Sequence, residues 1–178
     1  MKKNIFYKLA IFAAFIAVPF SSVSAQKFAL VDMEYILKNI PSYERANEQL
    51  DRLSKKWESE IQTLLSEVEA SYKKYQSEAV FLSDDQKKKT EDNIIAKEKQ
   101  ASDLKKKYFG SEGELYKKRQ SLMAPIQDEI YNAVKDICDQ KGYQLVLDRA
   151  SGASIVFASP KIDISDEVLN KLGYSRSN

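Results

Sequence analysis

The chain has 178 residues, 28 of them basic and 26 acidic, with no histidine and one cysteine. The lack of histidine excludes His-dependent triads and His metal sites, and a lone cysteine excludes an internal disulfide. The length is that of one domain.

The chain opens on Met1-Lys2-Lys3, then an apolar run from Ile5 to Val18, then Pro19 and the small residues Val23-Ser24-Ala25. This is the layout of a secretory signal peptide, with cleavage expected after Ala25. The alternative is an uncleaved anchor, for which the run is short of the ~20 residues a span needs. Removing residues 1–25 takes away three lysines and no acid, leaving 25 basic and 26 acidic residues, a net charge of −1. Nucleic-acid partners need a sustained basic surface, so none is expected.

Residues 26–41 are expected to form a body strand, Lys27 to Asp32, and a short helix, Met33 to Asn39, capped by Asp32. Pro41 interrupts the chain, and Ser42 is expected to cap a long helix to about Val80. Its apolar residues are Ala46, Leu50, Leu53, Trp57, Ile61, Leu64, Val68, Tyr72, Tyr75 and Ala79. The steps between them run 4-3-4-4-3-4-4-3-4, a mean of about 3.67. That period makes one narrow stripe on a helix with little left-handed supercoil. The helix should be on the order of 58 Å long.

The tip falls near residues 81–85. Ser83 and Gln86 form a capping box, and Asp84 and Asp85 add negative charge at the start of the next helix. A short connection makes the two helices antiparallel neighbours. The second helix is expected to run unbroken from Asp84 to about Gln140. Its stripe is sparse over Ile94, Ala101, Leu104, Tyr108 and Leu115, then dense over Leu122, Ile126, Ile130, Ala133, Val134 and Ile137. The sparse part reads as an arm and the dense part as body. Gly110, Gly113 and Pro125 are candidate bending points, with the kink expected at Pro125. The arm therefore spans 42–124, and 125–178 hold the end of the arm helix, a β-hairpin and a last short helix.

Gly142 is expected to end the long helix. Tyr143–Asp148 and Ser154–Ala158 read as two strands joined by a glycine turn. Three short strands make a poor independent sheet. Strands from several chains should complete it, burying Phe28, Leu30, Leu145, Leu147, Ile155 and Phe157. Ser165 is expected to cap the last helix, Asp166 to Leu172, with Gly173 as its stop. The fold class is α+β: a long antiparallel helical hairpin arm on a small β body shared between chains.

No catalytic constellation stands out. Gly110-Ser-Glu-Gly113 lies within a predicted helix and is not a phosphate loop. Cys138 reads as a small apolar residue on a helix face, or as a thiol pairing between chains. No enzyme, cofactor or metal is expected.

Three runs carry a family resemblance: Lys141-Gly-Tyr-Gln-Leu-Val-Leu-Asp148, Ile155-Val-Phe-Ala158 and Asp163-Ile-Ser-Asp-Glu-Val-Leu169. With Phe28-Ala-Leu-Val-Asp32, Ile36-Leu37 and Pro125-Ile126, they make the chain resemble the Skp/OmpH family of periplasmic chaperones. The likeness covers the mature chain, with specific ends and generic arms. It implies a jellyfish-like homotrimer that holds unfolded outer-membrane proteins between its arms without ATP. The rival reading is a structural coiled-coil scaffold or adaptor of the envelope with a fixed partner.

A holdase needs exposed apolar side chains diluted by charge. Trp57, Ile61, Leu65, Tyr72, Tyr75, Phe81, Leu82 and Tyr108 are the candidates, although most of them also fit the seam between the two arm helices, and for Ile61, as for Leu64, Val68 and Leu104, the seam is the preferred reading. From Lys73 to Arg119 the chain has 13 basic and 9 acidic residues, a net +4. The clusters Lys87-Lys88-Lys89 and Lys105-Lys106-Lys107 could attract an anionic membrane surface or lipopolysaccharide, or simply solvate the helix.

Overall fold

A computed structural model describes residues 26–152 and 155–174. The expected signal peptide and Ser154 lie outside them. The element order is β1 (Lys27–Val31), α1 (Met33–Lys38), α2 (Pro41–Glu78), a 3-10 turn (Ala79–Phe81), α3 (Asp84–Phe109), α4 (Glu114–Lys141), β2 (Tyr143–Asp148), a second 3-10 turn (Pro160–Ile162) and α5 (Ser165–Lys171). The protein is mostly helical with a small sheet.

β1 and β2 are parallel neighbours, with Phe28 opposite Leu145, Leu30 opposite Leu147 and Val31 opposite Asp148. The whole arm is thus inserted between two adjacent strands. It leaves the sheet after β1 and returns to it at β2. Period-2 alternation sends Ala29, Val31 and Val146 towards the helices, where Ile36, Ile40, Ile130, Ile137 and Val168 complete the body core. The other face carries Phe28, Leu145 and Leu147, all about half exposed. Leu30 shares that face but is buried in its own chain, because residues 162–164 run beside β1.

The chain termini of the body are stitched by polar groups. Asp32 caps α1 by accepting the Tyr35 N–H at 2.8 Å. Its other oxygen accepts from Arg149 Nε at 3.0 Å, and Arg149 also reaches Asp163 at 3.1 Å. Hydrogen bonds to the charged carboxylate, first from the Tyr35 N–H and then from Arg149, outweigh burial and hold Asp32 below the usual carboxylate range.

Several expectations need correction. The segment 155–158 forms no strand: Val156 is fully exposed and Phe157 is 85% exposed. Pairing of β2 with β1 uses one edge of β2, and residues 155–158 do not run along the other. Ser42 is not a cap. Pro41 occupies the first turn of α2 behind Ile40, a position where the missing N–H has no helical partner to lose. Ser165 is the first residue of α5 rather than its cap, and its hydroxyl is engaged elsewhere in the body.

The second long helix is two helices. The break lies at Gly110–Gly113, and α4 continues as one helix through Pro125. A proline inside a helix costs about 3 kcal/mol. A break there would pull Ile126 and Ile130, both buried, out of the body core. Gly142 ends α4 with a positive φ of 74°, the left-handed backbone that a helix stop of this kind requires.

Candidate functional site

The arm is a hairpin of α2 against α3, closed at the tip by the Ser83 capping box. Ser83 N–H donates to Gln86 Oε1 at 2.9 Å, and the Ser83 hydroxyl accepts the Gln86 N–H. Its interior is thin. Ile61 and Val68 of α2 and Ile94, Ala101 and Tyr108 of α3 are buried. Polar ties complete the seam: Lys97 to Glu67 at 3.0 Å and the Tyr108 hydroxyl to Glu60 at 3.2 Å. The Tyr75 hydroxyl donates to Glu91. That bond raises the Tyr75 phenol above its ordinary value, whereas desolvation is the first cause for Tyr108.

The structure separates the expected client residues into two groups. Leu65, Tyr72 and Phe81 are exposed, with Phe81 at 85%. Ile61 and Tyr108 are buried, because pairing of the hairpin closes over them. Trp57, Tyr75 and Leu82 are half-buried. Trp57 lies flat on Tyr108, with ring centroids 4.6 Å apart. The open apolar surface also includes Val80, Ile95 and Tyr116. The signal for Ile95 was its neighbour: when Ile94 turns inward, the next residue, about 100° around the helix, cannot. Val80 falls in the tip turn, beyond the last stripe residue, Ala79.

Lys88, Lys89 and Lys105–Lys107 are exposed, and Lys87 is half-buried, 3.8 Å from Asp84. Lys107 places its ammonium 5.4 Å from the Tyr108 ring centre. That is within cation–π range. Cys138 is half-buried at a groove between α4 and β2, lined also by Tyr131, Val134, Leu145 and Val146. Burial, and secondarily Asp139, raises its thiol above the ordinary value, which makes it a poor nucleophile at neutral pH. Among the described residues no cluster of three or more His, Cys, Asp or Glu could hold a metal, and no helix is long and apolar enough to cross a membrane.

Fold and surface define an arm-bearing α+β protein with a diluted apolar surface along the arm. The chain belongs to the OmpH-like outer membrane protein family, whose sequence profile matches residues 27–172. It is similar to the Chaperone protein Skp of Yersinia enterocolitica, 25% identical over 154 residues that cover 85% of this chain and 89% of the relative. It is also similar to the Chaperone protein Skp of Pectobacterium atrosepticum, 26% identical over 159 residues, 88% of this chain and 92% of the relative. The fold matches a crystal structure of an OmpH-like protein from Caulobacter crescentus CB15, with a TM-score of 0.69 at 13% identity, over 84% of this chain and 85% of that one. The family and these relatives put the chain among binding proteins, not enzymes.

Proposed function

We propose that the chain is an ATP-independent periplasmic holdase that binds unfolded outer-membrane β-barrel proteins and keeps them from aggregating before membrane insertion. The observation that carries this reading is the spacing of exposed apolar residues along the arm. Leu65, Tyr72, the Val80–Phe81 pair at the tip and Ile95 stand apart from one another, with charged and polar residues between them. Scattered apolar contacts are individually weak, so an extended client is held by many of them and released without an energy source.

In this reading residues 1–25 are a signal peptide cleaved after Ala25. Residues 26–41 and 125–178 form the body, and 42–124 the arm. Three chains assemble through the apolar sheet face of Phe28, Leu145 and Leu147, with Ile155 and Phe157 covering it from a neighbouring chain. The exposure of Phe157 supports that arrangement. The arms then surround a shared space in a jellyfish-like shape. Lys88, Lys89 and Lys105–Lys107 add attraction to anionic membrane surface or lipopolysaccharide, which weakens as salt rises.

The test is aggregation of an outer-membrane β-barrel diluted from urea with and without this protein. Suppression at one trimer per client is expected. No suppression at that ratio refutes the holdase. Light scattering that finds a stable monomer at micromolar concentration refutes the shared body.

A further inference from the structure

The seam of the arm is not packed all the way to the tip. Val68 and Ile94 are its last buried residues, and none of the described residues 69–93 is buried. The limbs leave a cleft of about 340 Å³ between them, behind the Ser83 cap. Small polar residues, Ser71 of α2 and Thr90 of α3, line it and do not fill it. The volume lies at the low end of the range for ligand sites, roughly 300–1,000 Å³. It has room for one large side chain.

The cleft has an apolar floor and a charged rim. Ile94 is buried and Tyr75 and Leu82 are half-buried, and these three make the floor. The Tyr75 hydroxyl is tied to Glu91, which holds the ring in place. Lys74 of α2, Lys89 of α3 and Glu78 are exposed and form the rim. Other lysines near the tip are neutralised: Lys73 pairs with Glu69 at 2.6 Å, and Lys87 lies 3.8 Å from Asp84. Among the described residues Lys74 and Lys89 make no ion pair, and the side chains of Ser71 and Asn93, which also face the cleft, make no hydrogen bond.

An apolar recess with an unpaired cation on each limb suits a ligand that is apolar at one end and anionic at the other. We propose that this cleft binds the C-terminal residue of a polypeptide ending in a large apolar or aromatic side chain. In such a residue the side chain and the carboxylate leave the same Cα. The side chain enters against Tyr75, Leu82 and Ile94. The carboxylate accepts charge-assisted hydrogen bonds from the Nζ groups of Lys74 and Lys89, and the rest of the peptide leaves through the open side. An internal Asp or Glu brings the charge without the apolar group, and a long acyl chain overfills the cleft. Glu78 opposes the carboxylate, so the complex is weak and reversible. The scattered apolar contacts of the arm take any part of a client, whereas this site selects one end of it.

The test is fluorescence anisotropy of a short Gly-Ser peptide that ends in Phe and is labelled at its N-terminus, titrated with the protein at low salt. The free acid is expected to bind about 3- to 10-fold more tightly than its C-terminal amide, and about 10-fold more tightly than the same peptide ending in Ser. Lys74→Gln and Lys89→Gln should each weaken binding about 2- to 5-fold, and Glu78→Gln should strengthen it by a similar factor. Lys99→Gln makes the same change of charge on α3 away from the cleft and should bind as the parent does. Ser71→Leu fills the cleft and should abolish binding. Acid and amide binding alike, an equal loss in Lys99→Gln, displacement of the peptide by inorganic phosphate at the peptide's own concentration, or parental binding by Ser71→Leu each overturns the site. Should Ser71→Leu not fold, the three charge variants, all at exposed positions, still decide. The readout is binding and not aggregation. A protein that suppresses aggregation but ignores the peptide refutes the cleft and leaves the holdase standing.

Discussion

The hydroxyl oxygen of Ser165 accepts the backbone N–H of Asp32 at 2.8 Å, across 133 residues of sequence. The same hydroxyl donates to Asp163 Oδ1 at 2.6 Å. The bond fastens the end of β1 to the start of α5, so the C-terminal segment locks the strand from which the arm departs. Ser165 is buried, and water is a poor substitute partner there. Ser165→Ala is expected to leave the Asp32 N–H unpaired at a cost of about 1–3 kcal/mol. Urea unfolding followed by circular dichroism should show the lower midpoint. An unchanged midpoint would mean the bond contributes nothing net.

Asp32 also makes the body sensitive to acid. Its carboxylate is held below the ordinary range in the folded chain, so its contribution is complete above the unfolded value and is lost as pH falls through the folded one. Asp32→Asn can still accept the Tyr35 N–H but loses the charge opposite Arg149. It should be less stable than the parent at about pH 7, and the gap should close towards roughly pH 3. Urea midpoints of both chains across that range give the answer. A gap that stays constant with pH would show that ionisation of Asp32 is not coupled to folding.

The tip depends on its capping box. Ser83→Ala removes the acceptor for the Gln86 N–H. Loss of such a cap costs about 0.5–2 kcal/mol. The seam near the tip is thin, so the loss should act locally. Hydrogen exchange is expected to speed up at residues 84–90, while the amides of β1 and β2 keep their rates. Equal acceleration in both places would show that arm and body unfold as one unit.

Local chemistry was legible wherever it was self-contained. The Asp32 cap, the Ser83 capping box and the Gly142 stop each need only a few adjacent residues, and all three are present. The inward stripe was legible too, because Ile61, Val68, Ile94 and Ala101 recur with the helix period. The break at Gly110 was not. Gly110 and Gly113 each carry a penalty that a helix often absorbs, and Pro125 carries a larger one. What reversed the ranking was tertiary: the body core holds Ile126 and Ile130 in one helix through the proline. The expected strand at 155–158 failed for a related reason. Its β-branched and aromatic residues fit a strand, but strand formation needs an edge to pair with. β1 lies beside Asp163, and β2 meets β1. Of the candidate site, exposure could not be assigned to single stripe residues. Tyr72 and Tyr108 both fit the pattern, yet one is open and the other closed.

That difference sets apart two roles that sequence alone runs together. Phe81, Val80 and Tyr72 are exposed. Replacing all three by Ser should leave the melting of the arm nearly unchanged and weaken suppression of client aggregation. Ile61, by contrast, is buried in the seam. Ile61→Ala should cost about 2–5 kcal/mol by opening a cavity there. Its effect on clients should follow only from the loss of arm stability, and so should vanish at temperatures well below the arm transition. Aggregation assays run beside thermal melts distinguish the two. If the triple Ser variant suppresses aggregation as the parent does, the exposed apolar residues do not hold the client. If Ile61→Ala loses suppression while its arm remains folded, the seam itself opens to admit the client, and the buried stripe is part of the binding surface after all.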